Sequence, residues 1–200
     1  MSTTTRPRTR RVPRLFRSSS LLLATLLLVA LTAACAAGQT AQVETASMRV
    51  LVYFSNDRLA TDPTDCAAVF PVERSVPRTT AVATAALREL FRGPTPAEQA
   101  LGFRSFFSAA TAGLLRDIRI DGGTAYVNLH DLRAELSGAT SSCGAAEFQS
   151  QVSRTMLQFP TVKRIIYAID GEPRTFYEWM NESCRSANDN CDPRPFKGGG

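Results

Sequence analysis

The chain has 200 residues, room for one domain with tails. Apolar residues make up 44% and charged ones 20%, which excludes wholesale disorder. The net charge of +5 invites a nucleic-acid reading, but six of the 23 basic residues precede the first acid, Glu44, and from Cys35 onward 17 basic residues face 18 acidic ones.

A mature domain starting near Cys35 therefore carries no basic field to steer toward phosphate. The basicity belongs to residues 1–34, which read as an export signal. Arg6, Arg8, Arg10, Arg11, Arg14 and Arg17 precede the apolar run Leu21–Leu31, and Thr32-Ala33-Ala34-Cys35 follows it. The run is short for a membrane span, which takes ~20 apolar residues. Arg10-Arg11 is followed by Val12-Pro13, unlike a twin-arginine signal. Small residues leading into Cys35 resemble a bacterial lipobox, which would make Cys35 the lipidated first residue of the mature protein. Thr32 departs from the Leu, Val or Ile usual in a lipobox. Ordinary cleavage around Ala34-Cys35-Ala36, releasing a soluble protein, stays open as the alternative. Residues 35–47 are small and polar, a flexible tether.

The other cysteines are Cys66, Cys143, Cys184 and Cys191, an even number suited to disulfides in an oxidising compartment. Four cysteines allow three pairings. Cys184 and Cys191 are seven apart in a polar segment that can curl freely, so local pairing is favoured, leaving Cys66 with Cys143. A zinc site is the weaker reading, since no CxxC is present and the chain has one histidine.

Met48–Phe54 alternates and is rich in β-branched and aromatic residues, so it is a strand. Val69–Val76 is a second, placed at an edge or bulge by Pro71. Thr79 or Thr80 can cap a helix over 81–92, with Val82, Ala83, Ala86, Leu87, Leu90 and Phe91 on its apolar face and Gly93-Pro94 as its stop. Thr95-Pro96-Ala97-Glu98 predicts a short helical turn that ends near Gly102. Leu114–Ile120 and Thr124–Leu129 flank Asp121-Gly122-Gly123, a hairpin signal. A long helix over 144–159 carries Phe148, Val152, Met156 and Phe159, and Pro160 stops it. Val162–Ile169 is apolar on both faces, which predicts a central strand covered on both sides. Phe176, Trp179 and Met180 stripe a short terminal helix, and the chain frays from Phe196 onward.

The order β-β-α-β-β-α-β predicts a single α+β domain over 48–180. It has a mixed sheet, two main helices packed largely on one face and a short C-terminal helix, with 181–200 a disulfide-pinned tail. Phe70, Val72, Val127, Ile165 and Ile169 meet the helix stripes in this arrangement.

Candidate chemistry is thin. His130, the one histidine, follows a strand and precedes Asp131, a conceivable His–carboxylate pair without a placed nucleophile nearby. An exposed strand-end histidine is the plainer reading. Glu73, Asp117, Asp121, Asp131, Glu135 and Glu147 lack any metal-loop or E-x-x-H spacing and read as solvated surface. No glycine group makes a phosphate loop. Asn181-Glu182-Ser183 matches a glycosylation sequon, a pattern of little specificity. No catalytic, cofactor-binding or metal-binding residue is assigned, and no cofactor is expected.

Several segments together resemble a GerMN domain, the module of spore-germination and sporulation lipoproteins. They are Val52-Tyr53-Phe54, Phe70-Pro71-Val72-Glu73-Arg74-Ser75-Val76-Pro77, Ala86–Thr95, Asp121–Leu129 and Gln158-Phe159-Pro160-Thr161-Val162. The resemblance spans about residues 50–173. Ser108–Ala112 departs from it, since the family more often has a Pro-Glu-Gly-Thr turn there. The resemblance implies an extracytoplasmic, non-enzymatic α/β module, often lipid-anchored, that assists envelope assemblies by protein contacts. The expectation is therefore a membrane-tethered scaffold or adaptor with envelope protein partners and no nucleic acid. The alternatives are an envelope hydrolase, with His130 and Asp131 as its best polar pair, and a small-ligand-binding lipoprotein. An adaptor should present an exposed apolar patch or sheet edge, and Glu73-Arg74 on the edge-like strand is the first place to look.

Overall fold

The computed structural model describes residues 46–184 and 190–197, all within the compact unit Thr45–Gly200. The expected export signal, Cys35 and nearly all of the expected tether lie outside the described residues. Ser47, expected as the last tether residue, begins the first strand.

Strand β1 (Ser47–Asn56) pairs antiparallel with β2 (Phe70–Pro77), from Ser47 opposite Pro77 to Phe54 opposite Phe70. Helix α1 (Val82–Phe91) buries Ala83, Ala86, Leu87, Leu90 and Phe91, the i, i+3, i+4 face expected of it. Gly93 ends it with φ 73°, where a Cβ would stand 2.0 Å from the Phe107 carbonyl oxygen. Only glycine fits that turn. Thr95 and Glu98 form a reciprocal capping box on the one-turn helix α2 (Pro96–Ala100). Strand β3 (Phe103–Arg104) then joins the end of β1 at Asn56 and Ser55. Strands β4 (Leu115–Asp121) and β5 (Thr124–Leu129) form the hairpin; Gly122 and Gly123 both have positive φ, as a type I′ turn demands. Helix α3 (Ser142–Leu157), capped by Ser141, crosses over to β6 (Arg164–Ile169), which runs parallel to β5. Helix α4 (Pro173–Trp179) follows.

The class is α+β, with a division the sequence pattern does not reveal: two three-stranded sheets, β2-β1-β3 and β4-β5-β6, stand where one mixed sheet was expected. The free edge of β1 meets α3 instead of another strand. The Leu51 N–H donates to Gln158 Oε1 (3.0 Å) and Gln158 Nε2 donates back to the Leu51 carbonyl (2.7 Å). The Tyr53 N–H donates to Thr155 Oγ1 (3.1 Å), and the Ser55 hydroxyl donates to Glu147 Oε1 (2.7 Å). One face of α3 thus satisfies the strand's orphan backbone groups. Glu147, expected on the solvated surface, is 6% exposed and also accepts from Arg104 Nη1 (3.1 Å) and Gln151 Nε2 (3.0 Å). A buried carboxylate needs such partners.

Strand β6 is buried on its faces as expected, but it is an edge strand and β5 is central. Helix α4 closes that edge: the Tyr167 N–H donates to the Tyr177 hydroxyl (3.4 Å), and burial raises the pKa of both phenols. The core gathers around Phe148, whose ring lies within 6.4 Å of Phe107, Tyr167, Phe176 and Trp179 ring centroids. Disulfides join Cys66 to Cys143 and Cys184 to Cys191, with Cα separations of 5.2 and 5.4 Å. Phe196, expected to fray, is buried in a 3-10 turn and meets the Tyr126 ring edge-on at 5.6 Å. The outer face of β5 offers an aromatic surface that the tail covers.

Candidate functional site

The expected polar pair does not form. His130 Nδ1 lies 3.7 Å from Asp170 Oδ1, and that carboxylate is already engaged by Arg116 at 2.8 Å. Asp131 turns to Arg133 (2.8 Å), whose hydrogen bond holds its carboxyl below the usual carboxylate range. Both His130 and Asp170 are about half exposed. Asp170 has φ 47° because it opens an Asp-Gly turn that closes on Glu172, a local reason that calls for no chemistry. Among the described residues, no three His, Cys, Asp or Glu side chains gather as a metal would need.

Glu73 and Arg74 part company as well. Glu73 is exposed and pairs with Arg49, but Arg74 is turned inward, its side chain only 12% exposed. Arg74 Nη2 donates to Glu98 (2.6 Å) and to the Gly93 carbonyl (3.1 Å), and its guanidinium lies 5.8 Å from the Phe54 ring centroid. Arg74 fastens the turn between α1 and α2 onto β2. That is an internal tie, because an edge strand shows only one of its faces to solvent.

The open surface is elsewhere, at β4. A two-residue hairpin turn makes Asp121 and Thr124 a hydrogen-bonded pair, so Arg119 and Asp117 follow in the same phase toward β5. Ile118 and Ile120 then turn their N–H and C=O groups outward, and none of the described residues takes them. The edge strand β2 carries Pro71 and Pro77, which weaken it as a pairing template. β4 contains no proline.

On the core side of this edge lies an open groove of about 480 Å³, walled by Val82 and Thr84 of α1, Ile118 and Ile120 of β4, and Phe159-Pro160 after α3. Its lining is mainly apolar, and Ile120 is 39% exposed. On the opposite face, Asp117 accepts from Asn128 Nδ2 (2.8 Å) and Arg119 lies 5.3 Å from the Tyr126 ring centroid. Sequence reasoning identified the hairpin but assigned its first strand no role. The signal available was a strand without proline whose apolar positions lacked a partner.

Residues 51–175 match the family model described as Germane, sporulation and spore germination. No curated protein matches the sequence. Among solved structures, the chain is similar to the tandem GerMN domains of the sporulation protein GerM from Bacillus subtilis, at 16% identity and a TM-score of 0.41. That similarity covers 63% of this chain and 40% of the tandem structure, so the chain spans less than half of its length. The first GerMN domain of GerM from Bacillus subtilis is similar at 17% identity and a TM-score of 0.39, over 62% of this chain and 84% of that one.

Proposed function

Because the chain belongs to the Germane family of sporulation and spore germination, we propose that it is a non-catalytic adaptor in an extracytoplasmic envelope assembly. In this reading Cys35 carries the lipid that tethers it, and the β4 edge with its groove is where a protein partner docks. The observation that carries the reading is the open edge of β4 beside an apolar groove in which Ile120 is 39% exposed. A strand edge supplies backbone hydrogen bonds to an added strand, and neighbouring apolar surface supplies the burial. The Arg-rich start, the apolar run and the small residues before Cys35 support export and tethering. Two disulfides suit a compartment that oxidises thiols.

The test is complementation of a deletion strain. Ile120→Lys places a charge in the groove and should abolish complementation while the folded protein still reaches the envelope. His130→Ala should complement fully, with stability changed by no more than ~0.5 kcal/mol, as is usual at an exposed site. Loss of function in His130→Ala with intact folding, together with turnover of an envelope substrate by purified protein, would favour the hydrolase instead.

A further inference from the structure

We propose that the β4 edge pairs with β4 of a second copy, antiparallel about a two-fold axis through Ile118. The inference rests on the reading of β4 as a contact surface and names the partner as this chain itself. The other strand edges are closed or weakened. Side chains of α3 bond that of β1, Tyr177 bonds that of β6, and prolines interrupt β2.

The register follows from hydrogen-bond phase. Ile118 presents its backbone groups outward, so in an antiparallel ladder it can sit on the axis as a hydrogen-bonded pair with its own copy. Asp117 then lies opposite Arg119 of the second copy, and Arg119 opposite Asp117. These are non-hydrogen-bonded positions, where facing side chains stand closest.

Charge complementarity argues for a second copy over an unrelated strand. Along β4 the outer face reads Asp117, Arg119, Asp121, alternating in sign, so reversing the strand sets opposite charges against each other. Asn128 holds Asp117 on that face, and Tyr126 and Asp121 hold Arg119. On the other face Ile118 meets itself, and Ile120 gains cover near the axis. The irregularity between Leu115 and Asp117 marks where the shared ladder ends. Such an interface is isologous and closes after one partner.

Sedimentation equilibrium of the full protein, solubilised in mild detergent, tests this. The wild type should be a dimer. Asp117→Arg sets like charges opposite each other in both symmetric pairs and should weaken association about tenfold. Adding Arg119→Asp to that variant exchanges the charges and should restore the dimer. Thermal melts of both variants confirm that they fold. A monomeric wild type, an Asp117→Arg variant that associates unchanged, or a folded double variant that stays monomeric would each overturn the proposal. A monomer in which Ile120→Lys still abolishes complementation overturns self-pairing alone and leaves the contact surface standing. A dimer in which Ile120→Lys complements overturns the adaptor reading alone.

Discussion

Phe148→Ala should lower the unfolding free energy by about 3–5 kcal/mol, the usual cost of deleting a fully buried phenylalanine. Phe148 has no exposed surface, and it joins elements distant in sequence. Its ring meets Phe107 before β4, Tyr167 on β6, and Phe176 and Trp179 on α4. A cavity there cannot be filled by one neighbour, because Tyr167 and Trp179 are each packed on Phe176 and Phe107 is packed on Phe91. Urea unfolding measures the change, and loss of the near-ultraviolet circular dichroism of the aromatic cluster should accompany it. A shift below about 1.5 kcal/mol, as in volume-conserving core swaps, would mean that Phe148 is not the centre of the core.

The second large effect concerns the disulfide between Cys66 and Cys143. It closes a separation of 77 residues and ties the segment between β1 and β2 to the start of α3. In the chain-entropy model such a loop is worth about 4 kcal/mol, against about 2 kcal/mol for the seven-residue loop of Cys184 and Cys191. Replacing both Cys66 and Cys143 by serine should therefore lower the urea midpoint more than replacing Cys184 and Cys191. Noncovalent ties would remain in that variant. The Ser150 hydroxyl donates to the Ala67 carbonyl (2.6 Å), and Arg104 binds Asp57. The fold should survive at lower stability. The reverse order of the two midpoints would contradict the loop-closure account.

Local signals carried most of the elements. The apolar stripe of α1, the Asp121-Gly122-Gly123 turn and the helical turn begun by Thr95-Pro96-Ala97-Glu98 each act over a few residues and correspond to structure at those positions. Contacts between distant segments were not legible. Glu147, Gln151, Thr155 and Gln158 recur at helical spacing and look like a solvated stripe; only their meeting with β1 reveals a row of hydrogen bonds. That same row explains why one expected sheet is two. Strand β3 has two residues and exists through its partner, so no periodicity announces it. The two apolar faces of β6 were read as a central position, but α4 supplies the cover that a further strand would have given. Glu73-Arg74 on an edge-like strand suggested a contact surface, whereas Glu98 and Gly93, some twenty residues away, draw Arg74 inward. For the candidate site, the hairpin was readable and the openness of its outer edge was not, since openness depends on what every other element covers.

Amide hydrogen exchange of β4 tests the central claim, that this protein works by strand-edge contact, most directly. The peptide spanning Leu115–Thr124 contains the outward N–H groups of Ile118 and Ile120, which have no partner among the described residues. Exchange is measured in the full protein within its native envelope and again after solubilisation and dilution. The Leu51 amide, bonded to Gln158, serves as an internal reference that should not change. The account predicts that the Ile118 and Ile120 amides are protected in the envelope and exchange rapidly once dilution has dissociated the contact, while those of Arg119 and Asp121, which face β5, stay protected throughout. Equally fast exchange in both states, with the Leu51 reference intact, would contradict it.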